Sequence, residues 1–351
     1  MTSRRLSLCV ASACALLFVV YALSPSRPLP PATPVAWDPP VSGPAAAGNS
    51  TLGFEAILAL SPFPSWRTRG LHAAANLTGL HIQTPPQPPI LPKAVEGFRS
   101  LSNEKESRPN YGSAAAWIAH LDLIKHVIQS DLESALILED DVDWDLAIRE
   151  QMVGVAAAVR ELTKAPASDA TPYGHAWDVL WVGLCVEAWD SSVESALVHD
   201  PTVVPSHLYV GHGKPAVDRL PKDQRVVFHS TMPYCTFAYA VSREGARNLL
   251  RQLGAGRDMA FDVALMNHCK RRSLNCVSVI PELFRHYTPS PNMRGASLVN
   301  LEDKDGDIMD VEVEMGLTEN ILQSARCHSL WGRSCLATPK PDTESEPEPG
   351  A

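Results

Sequence analysis

Between residues 52 and 335, short apolar runs alternate with longer stretches whose apolar residues recur at helical spacing. FEAILAL (54–60), SALIL (134–138), WDVLWVGLC (177–185), VVFHSTMPYCTFAYAV (226–241) and CVSVI (276–280) supply strand material, rich in β-branched and aromatic residues. WRTRGLHAAANL (66–77), REGARNLLRQL (243–253) and AFDVALMNHCKRR (260–272) read as helices. So does AAAWIAHLDLIKHVIQ (114–129), where Trp117, Leu121, Ile124 and Ile128 share one face and Ser113 is placed to cap it. Ile148, Met152, Val155, Val159 and Leu162 repeat that spacing after Asp145, and Ser242 opens the helix that follows it. PPQPPILP (85–92) is a loop, and no internal repeat is visible. Strands alternating with helices predict an α/β domain, with a mostly parallel central sheet and flanking helices. In such sheets ligands sit beyond the carboxyl ends of the strands.

The ends of the chain differ in composition from this core. Arg4-Arg5 precedes an uncharged apolar run over residues 6–23, long enough to approach the roughly 20 residues that span a bilayer. Residues 1–5 then form a cytoplasmic tail and 6–23 a signal anchor, with the bulk of the chain lumenal by the positive-inside rule. The alternative is a cleaved signal peptide, which sends the chain across the same membrane. Residues 24–51, rich in Pro and Ala, read as an extended stem, and the acidic, Pro-rich segment 336–351 as a disordered tail. A net charge of −9 without a basic stripe argues against nucleic-acid binding.

Two sequons, at Asn49 and Asn76, suit a lumenal location as glycosylation sites. Six cysteines lie outside the anchor, and Cys269 with Cys276 and Cys327 with Cys335 are the short-loop pairs among 15 connectivities. None has C-x-x-C spacing, which excludes the common structural zinc motifs.

The feature carrying chemistry is SALILEDDVDWD (134–145), in which Glu139, Asp140, Asp141, Asp143 and Asp145 crowd the end of a strand. Like charges this close repel, and burial raises the cost. Asp145 suits the start of the next helix, where N–H groups favour a carboxylate. That explanation does not extend to Glu139-Asp140-Asp141, which leave the strand directly. A hard divalent cation, Mn²⁺ or Mg²⁺, completed by the phosphates of a nucleotide substrate, accounts for them. The loop lacks the glycine and final glutamate of an EF-hand. A phosphatase using Asp141-Val142-Asp143 is the competing reading.

The segments LGFEAILALSPFPSWRTRGLHAAANLTGL, SALILEDDVDWD, WDVLWVGLC, FAYAVSREGARNLL and PELFRHYTP, in this order, resemble glycosyltransferase family 25. That family includes lipopolysaccharide and collagen galactosyltransferases, and the likeness is to its fungal, single-anchor members. It covers Leu52 to Trp331 and implies a GT-A-like fold, a UDP-sugar donor (commonly UDP-galactose) and inversion at the anomeric carbon. On this resemblance Glu139 and Asp140 belong to the donor motif and Asp141 to the metal, with Asp140 or Asp143 completing the contact. Arg67 and Arg69 match the arginine-rich segment that faces the nucleotide, although the spacing also fits a solvated helix face. Asp262 matches an acidic position suited to a general base, and equally suits a helix start. His286 falls where such enzymes place a histidine on metal or diphosphate, and equally suits a hydrogen-bonded loop. The family's Gly-x-x-Gly-Cys-x-x-Ser-His segment is reduced here to YGSAAAWIAH (111–120), and His120 reads as a packed or surface residue.

The expectation is therefore a Golgi or other secretory-pathway type II enzyme, with a transferase domain over 52–335 and a glycan, lipid or glycoprotein acceptor. A lumenal phosphatase or nucleotide-sugar hydrolase, and a family member that binds glycans without transfer, are the rival readings.

Overall fold

The computed structural model describes residues 42–102, 108–290 and 312–338. The expected cytoplasmic tail, the anchor over 6–23, most of the stem and the acidic tail lie outside the described residues. Among those described, no helix is long and apolar enough to cross a membrane.

In chain order the elements are β1 (Ala56–Leu60), α1 (Trp66–Thr78), β2 (Ile82–Gln83), α2 (Pro92–Arg99), α3 (Tyr111–Gln129), β3 (Ser134–Glu139), β4 (Val142–Trp144) and α4 (Ile148–Leu162). Then follow β5 (Val179–Gly183), β6 (Ser195–His199), α5 (Lys214–Val217), β7 (Gln224–His229), β8 (Ala238–Ser242), α6 (Arg243–Leu253) and α7 (Phe261–Lys270). The last are β9 (Cys276–Ile280), β10 (Phe284–Thr288), β11 (Leu317–Thr318) and α8 (Ala325–Trp331). The main sheet has the order β2-β1-β3-β8-β5-β9-β7-β6. Its strands run in one direction except β8 and β7, so the sheet is mixed and mostly parallel, as the alternation predicts.

Side chains alternate across this sheet and fill two cores. From β1 and β3, Ile57, Ala59, Leu136 and Leu138 join Leu71 and Ala74 of α1 and Met152 and Val155 of α4. Ala56, Leu58, Ala135 and Ile137 face the other way, against Trp117 and Ile124 of α3, Leu249 of α6 and Leu265 of α7. Helices therefore cover both faces of the sheet, as a strand buried on two sides requires. One close approach sets the seat of α6. A Cβ built on Gly245 would lie 2.0 Å from the backbone oxygen of Asp178. Gly245→Ala is expected to cost about 2–3 kcal/mol, read as a lowered urea midpoint at unchanged slope.

Two local expectations are revised. Residues 42–51 fold with the domain rather than forming stem: Ala47 is buried, Gly43 N–H donates to Ala170 O and His81 N–H to Ser50 O. The start of α3 is capped by Asn110, whose Oδ1 accepts from Ser113 N–H at 2.7 Å, so Ser113 is a recipient of the cap. The block 226–241 is two separate strands, with β5 and β9 between them in the sheet. Ser242 does cap α6, accepting from Gly245 N–H at 2.9 Å.

All six cysteines outside the anchor are paired, as Cys185–Cys235, Cys269–Cys276 and Cys327–Cys335. The two short-loop pairs are those that spacing favours. Beside the main sheet lies a three-stranded antiparallel one, β11-β10-β4, which sequence periodicity does not show.

Candidate active site

The acid cluster occupies the turn between β3 and β4. Glu139 ends β3, Asp140 and Asp141 form the turn, and Val142 begins β4. Because β4 pairs with β10 in the register Val142↔His286, the late strand carries His286 directly onto the acids. Its Nε2 lies 3.4 Å from Glu139 Oε2 and 3.8 Å from Asp141 Oδ1.

The remaining walls come from β1, α1, α3 and α7. Ser61, just after β1, donates to Asp140 Oδ2 at 2.6 Å. Arg67 in the first turn of α1 pairs with Asp140 Oδ1 at 2.5 Å and Asp141 Oδ2 at 2.9 Å. Burial opposes the charge on Arg67, but Asp141 and Asp140 outweigh it and hold its pKa above the ordinary guanidinium value. His120 of α3 is only 3% exposed, stacks face to face on Phe261 and brings Nε2 to 3.9 Å from Glu139 Oε1. Asp262, on the first turn of α7, accepts from Cys235 N–H at 3.1 Å and Val263 N–H at 2.9 Å.

Burial alone would push the Glu139 carboxyl up. The hydrogen bond and charge of His286, with His120 and Arg67 behind it, instead bring it down to about 2. For His286, burial disfavours the proton, but Asp141 and Glu139 outweigh it and raise its pKa.

These residues fit a divalent cation. One ligand atom each from Glu139, Asp141 and His286 lies within 4.8 Å of the others. Asp141 Oδ1 is buried and, among the described residues, has no hydrogen-bond partner. Two carboxylate oxygens with one imidazole nitrogen suit Mn²⁺ better than Mg²⁺, which prefers oxygen alone.

Since His286 must be neutral to ligate, ion binding is expected to tighten as pH rises through its raised pKa and to release a proton. Calorimetry in buffers of different ionisation enthalpy reads that release directly. The stability of the ion-free protein moves oppositely. The His286 contribution is present below about pH 6.5, its unpaired value, and is lost as pH rises through the higher folded value.

Not every expected residue joins the cluster. Asp143 is fully buried behind it, accepting from Trp144 N–H at 2.8 Å, Thr318 Oγ1 at 2.6 Å, Ser324 Oγ at 2.5 Å and Arg326 N–H at 3.0 Å. With both oxygens engaged, it ties β4 to the C-terminal segment, which leaves the Asp-x-Asp phosphatase reading without its second acid. Asp143 also lies near Cys327 and Cys335, but these are joined as a disulfide and offer no thiolate. Arg69 is exposed and lines a separate cavity of about 140 Å³ with Trp66, Gly70, Glu312, Leu330 and Trp331. Arg67 holds the carboxylates rather than an open phosphate position. Asp145 does not cap α4, whose N-cap is Ala147 without a side-chain bond; it accepts instead from Ala147 N–H at 3.0 Å in a local turn and from Gln323 N–H at 2.8 Å, joining that turn to the C-terminal segment.

His120 is the site residue that its sequence context hides. Its apolar helical neighbours mark a packed face, and only the fold shows one ring edge turned to Glu139. Asn49 and Asn76 are both exposed, and Asn49 Oδ1 accepts from Thr51 N–H and Gly53 N–H at 2.9 Å each.

No family model matches the sequence. Among solved structures, the chain is similar to a CMP:2-keto-3-deoxy-manno-octonic acid synthetase complexed with CTP. The match has 12% identity over 64% of this chain and 88% of that one, with a TM-score of 0.27. A likeness of that degree carries no argument about function.

Proposed function

We propose that this protein is a metal-dependent, inverting glycosyltransferase that moves a hexose, galactose first among candidates, from a UDP-sugar to an acceptor hydroxyl. The observation that carries the reading is the buried Asp141 Oδ1, which among the described residues accepts no hydrogen bond and converges with Glu139 and His286 just beyond the carboxyl end of β3. The resemblance to glycosyltransferase family 25 supplies the reaction class.

Glu139, Asp141 and His286 would hold Mn²⁺, which when bound neutralises a diphosphate leaving group. Arg67 and Ser61 fix the turn, and among the described residues Asp141 Oδ1 accepts no hydrogen bond. Asp262 is the residue assigned to take the acceptor hydroxyl's proton, as a single displacement with inversion requires one general base. Its two backbone N–H contacts use one lone pair on each oxygen and fix the carboxylate's orientation, leaving further acceptor capacity.

Three disulfides and two exposed sequon asparagines support a secretory-pathway setting, with residues 6–23 as the type II anchor and the domain in the Golgi lumen. The acceptor class is a glycan, lipid or glycoprotein. The test is titration of the protein with UDP-galactose and UDP-glucose, with and without Mn²⁺. Donor binding that depends on Mn²⁺ is expected. A folded sample that binds neither donor with the ion present overturns the reading.

A further inference from the structure

Tyr239 on β8 is fully buried, and among the described residues its hydroxyl has one hydrogen-bond partner, His120 Nδ1 at 3.1 Å. Burial, reinforced by the charge of Glu139, pushes the phenol far above its usual range, so it stays protonated and has a proton to place. With His120 Nδ1 as that hydroxyl's one partner among the described residues, the phenol donates and Nδ1 accepts. A neutral imidazole that accepts at Nδ1 carries its own proton on Nε2. That nitrogen faces Glu139 Oε1 at 3.9 Å. The other carboxylate oxygen, Oε2, faces His286 at 3.4 Å. Glu139 therefore divides its two oxygens between two histidines. Phe261, parallel to the His120 ring at 4.6 Å between centroids, blocks that ring from turning away.

We infer that His120 is a positioning residue for Glu139, locked by Tyr239 in the Nε2–H form so that it steadies one carboxylate oxygen while the other is left to a cation. The inference rests on the metal-site reading of the Glu139, Asp141 and His286 cluster. It extends that site outward from its ligands to the groups that orient them, which commonly govern metal affinity by about 10–100-fold. Tyr239 touches no ligand and acts only through the tautomer. It assigns a role to His120 and Tyr239 that packing alone would not require, since a phenylalanine fills either position.

The experiment has two parts. Imidazole ¹⁵N shifts of the ion-free protein, with His120 assigned by substitution, are expected to show a bare Nδ1 and a protonated Nε2. The opposite tautomer overturns the inference whatever the metal does. In the second part Mn²⁺ affinity is measured for the whole protein and for three variants. His120→Phe keeps the ring stack and is expected to weaken binding about tenfold. Tyr239→Phe, which frees the tautomer without touching Glu139, is expected to weaken it about threefold. His120→Gln, whose amide reaches the Nε2 position, is expected to retain most of the affinity. Unchanged affinity in both Phe variants overturns the inference while leaving the metal site standing. If the unsubstituted protein binds no Mn²⁺, the metal-site reading falls and this one with it. Should His120→Phe fail to fold, Tyr239→Phe and the tautomer decide the matter.

Discussion

Asp141→Asn is expected to lower Mn²⁺ affinity by about 100-fold or more and to remove Mn²⁺-dependent donor binding, while the protein stays folded. The physical grounds are local. Asp141 presents one oxygen to Arg67 and one to the cluster, where among the described residues it accepts no hydrogen bond. The amide keeps an oxygen for Arg67 but removes the charge a cation needs, and relieves repulsion from Glu139 and Asp140. Asp143→Ala is the informative contrast, two residues away in the same acidic run. It should leave ion binding close to normal and instead cost about 2–4 kcal/mol of stability, because it strands buried donors from Thr318, Ser324 and Arg326. Calorimetric Mn²⁺ titration and urea unfolding on the two variants separate a ligand from a structural anchor. A result in which Asp143→Ala abolishes ion binding in a stable protein would reverse the assignment.

Gly70→Ala is expected to be strongly destabilising. A Cβ there would lie 2.0 Å from Arg326 Cζ, and that guanidinium has nowhere to go. It is fully buried, lies over the Tyr287 ring at 4.4 Å and the Trp66 ring at 5.1 Å, and pairs with Glu312 at 3.2 Å. It also donates to the backbone oxygens of Trp66 and Arg67, at 3.0 and 3.1 Å. Displacing a buried, multiply bonded charge costs about 3–5 kcal/mol. Because the same guanidinium holds the backbone of Arg67, weaker ion binding should accompany the loss of stability. Gly97→Ala in α2 is the control. Nothing lies within 4 Å of its added Cβ, and replacing a helical glycine should stabilise by up to about 1 kcal/mol. Equal effects from the two substitutions would rule out the clash as the cause.

The layered α/β domain is legible in the sequence because its strands are buried on both faces and its helices on one. Apolar runs such as SALIL and the repeating Ile148, Met152, Val155 spacing therefore report the architecture directly. The small sheet is not legible for the opposite reason. VDW has only three residues, and the middle of FRHYT, Arg285 and His286, is polar and only partly buried. Asp141 and Asp143 look equivalent in sequence, two acids on alternate residues. They diverge because one ends a turn facing the cluster, whereas the other is enclosed by donors from residues 318–326. Likewise Arg67 and Arg69 look like a pair, but neighbouring positions on one helix turn face different surroundings.

The antiparallel register of β4 on β10 has a consequence for how the protein comes into being. Glu139 and His286 are 147 residues apart in sequence, and three of the donors that hold Asp143 lie 175 to 183 residues beyond it. A nascent chain exposes its acids long before it has the strand that pairs with their turn. Such distant partners make closure of this corner a late event in folding. Until β10 and the segment behind it dock, the emerging polypeptide carries a loose acidic turn and no cation cage. Chains ended before β10 and chains ended after Trp331, each with a spacer that clears the ribosome, should show ion-dependent compaction only in the longer species.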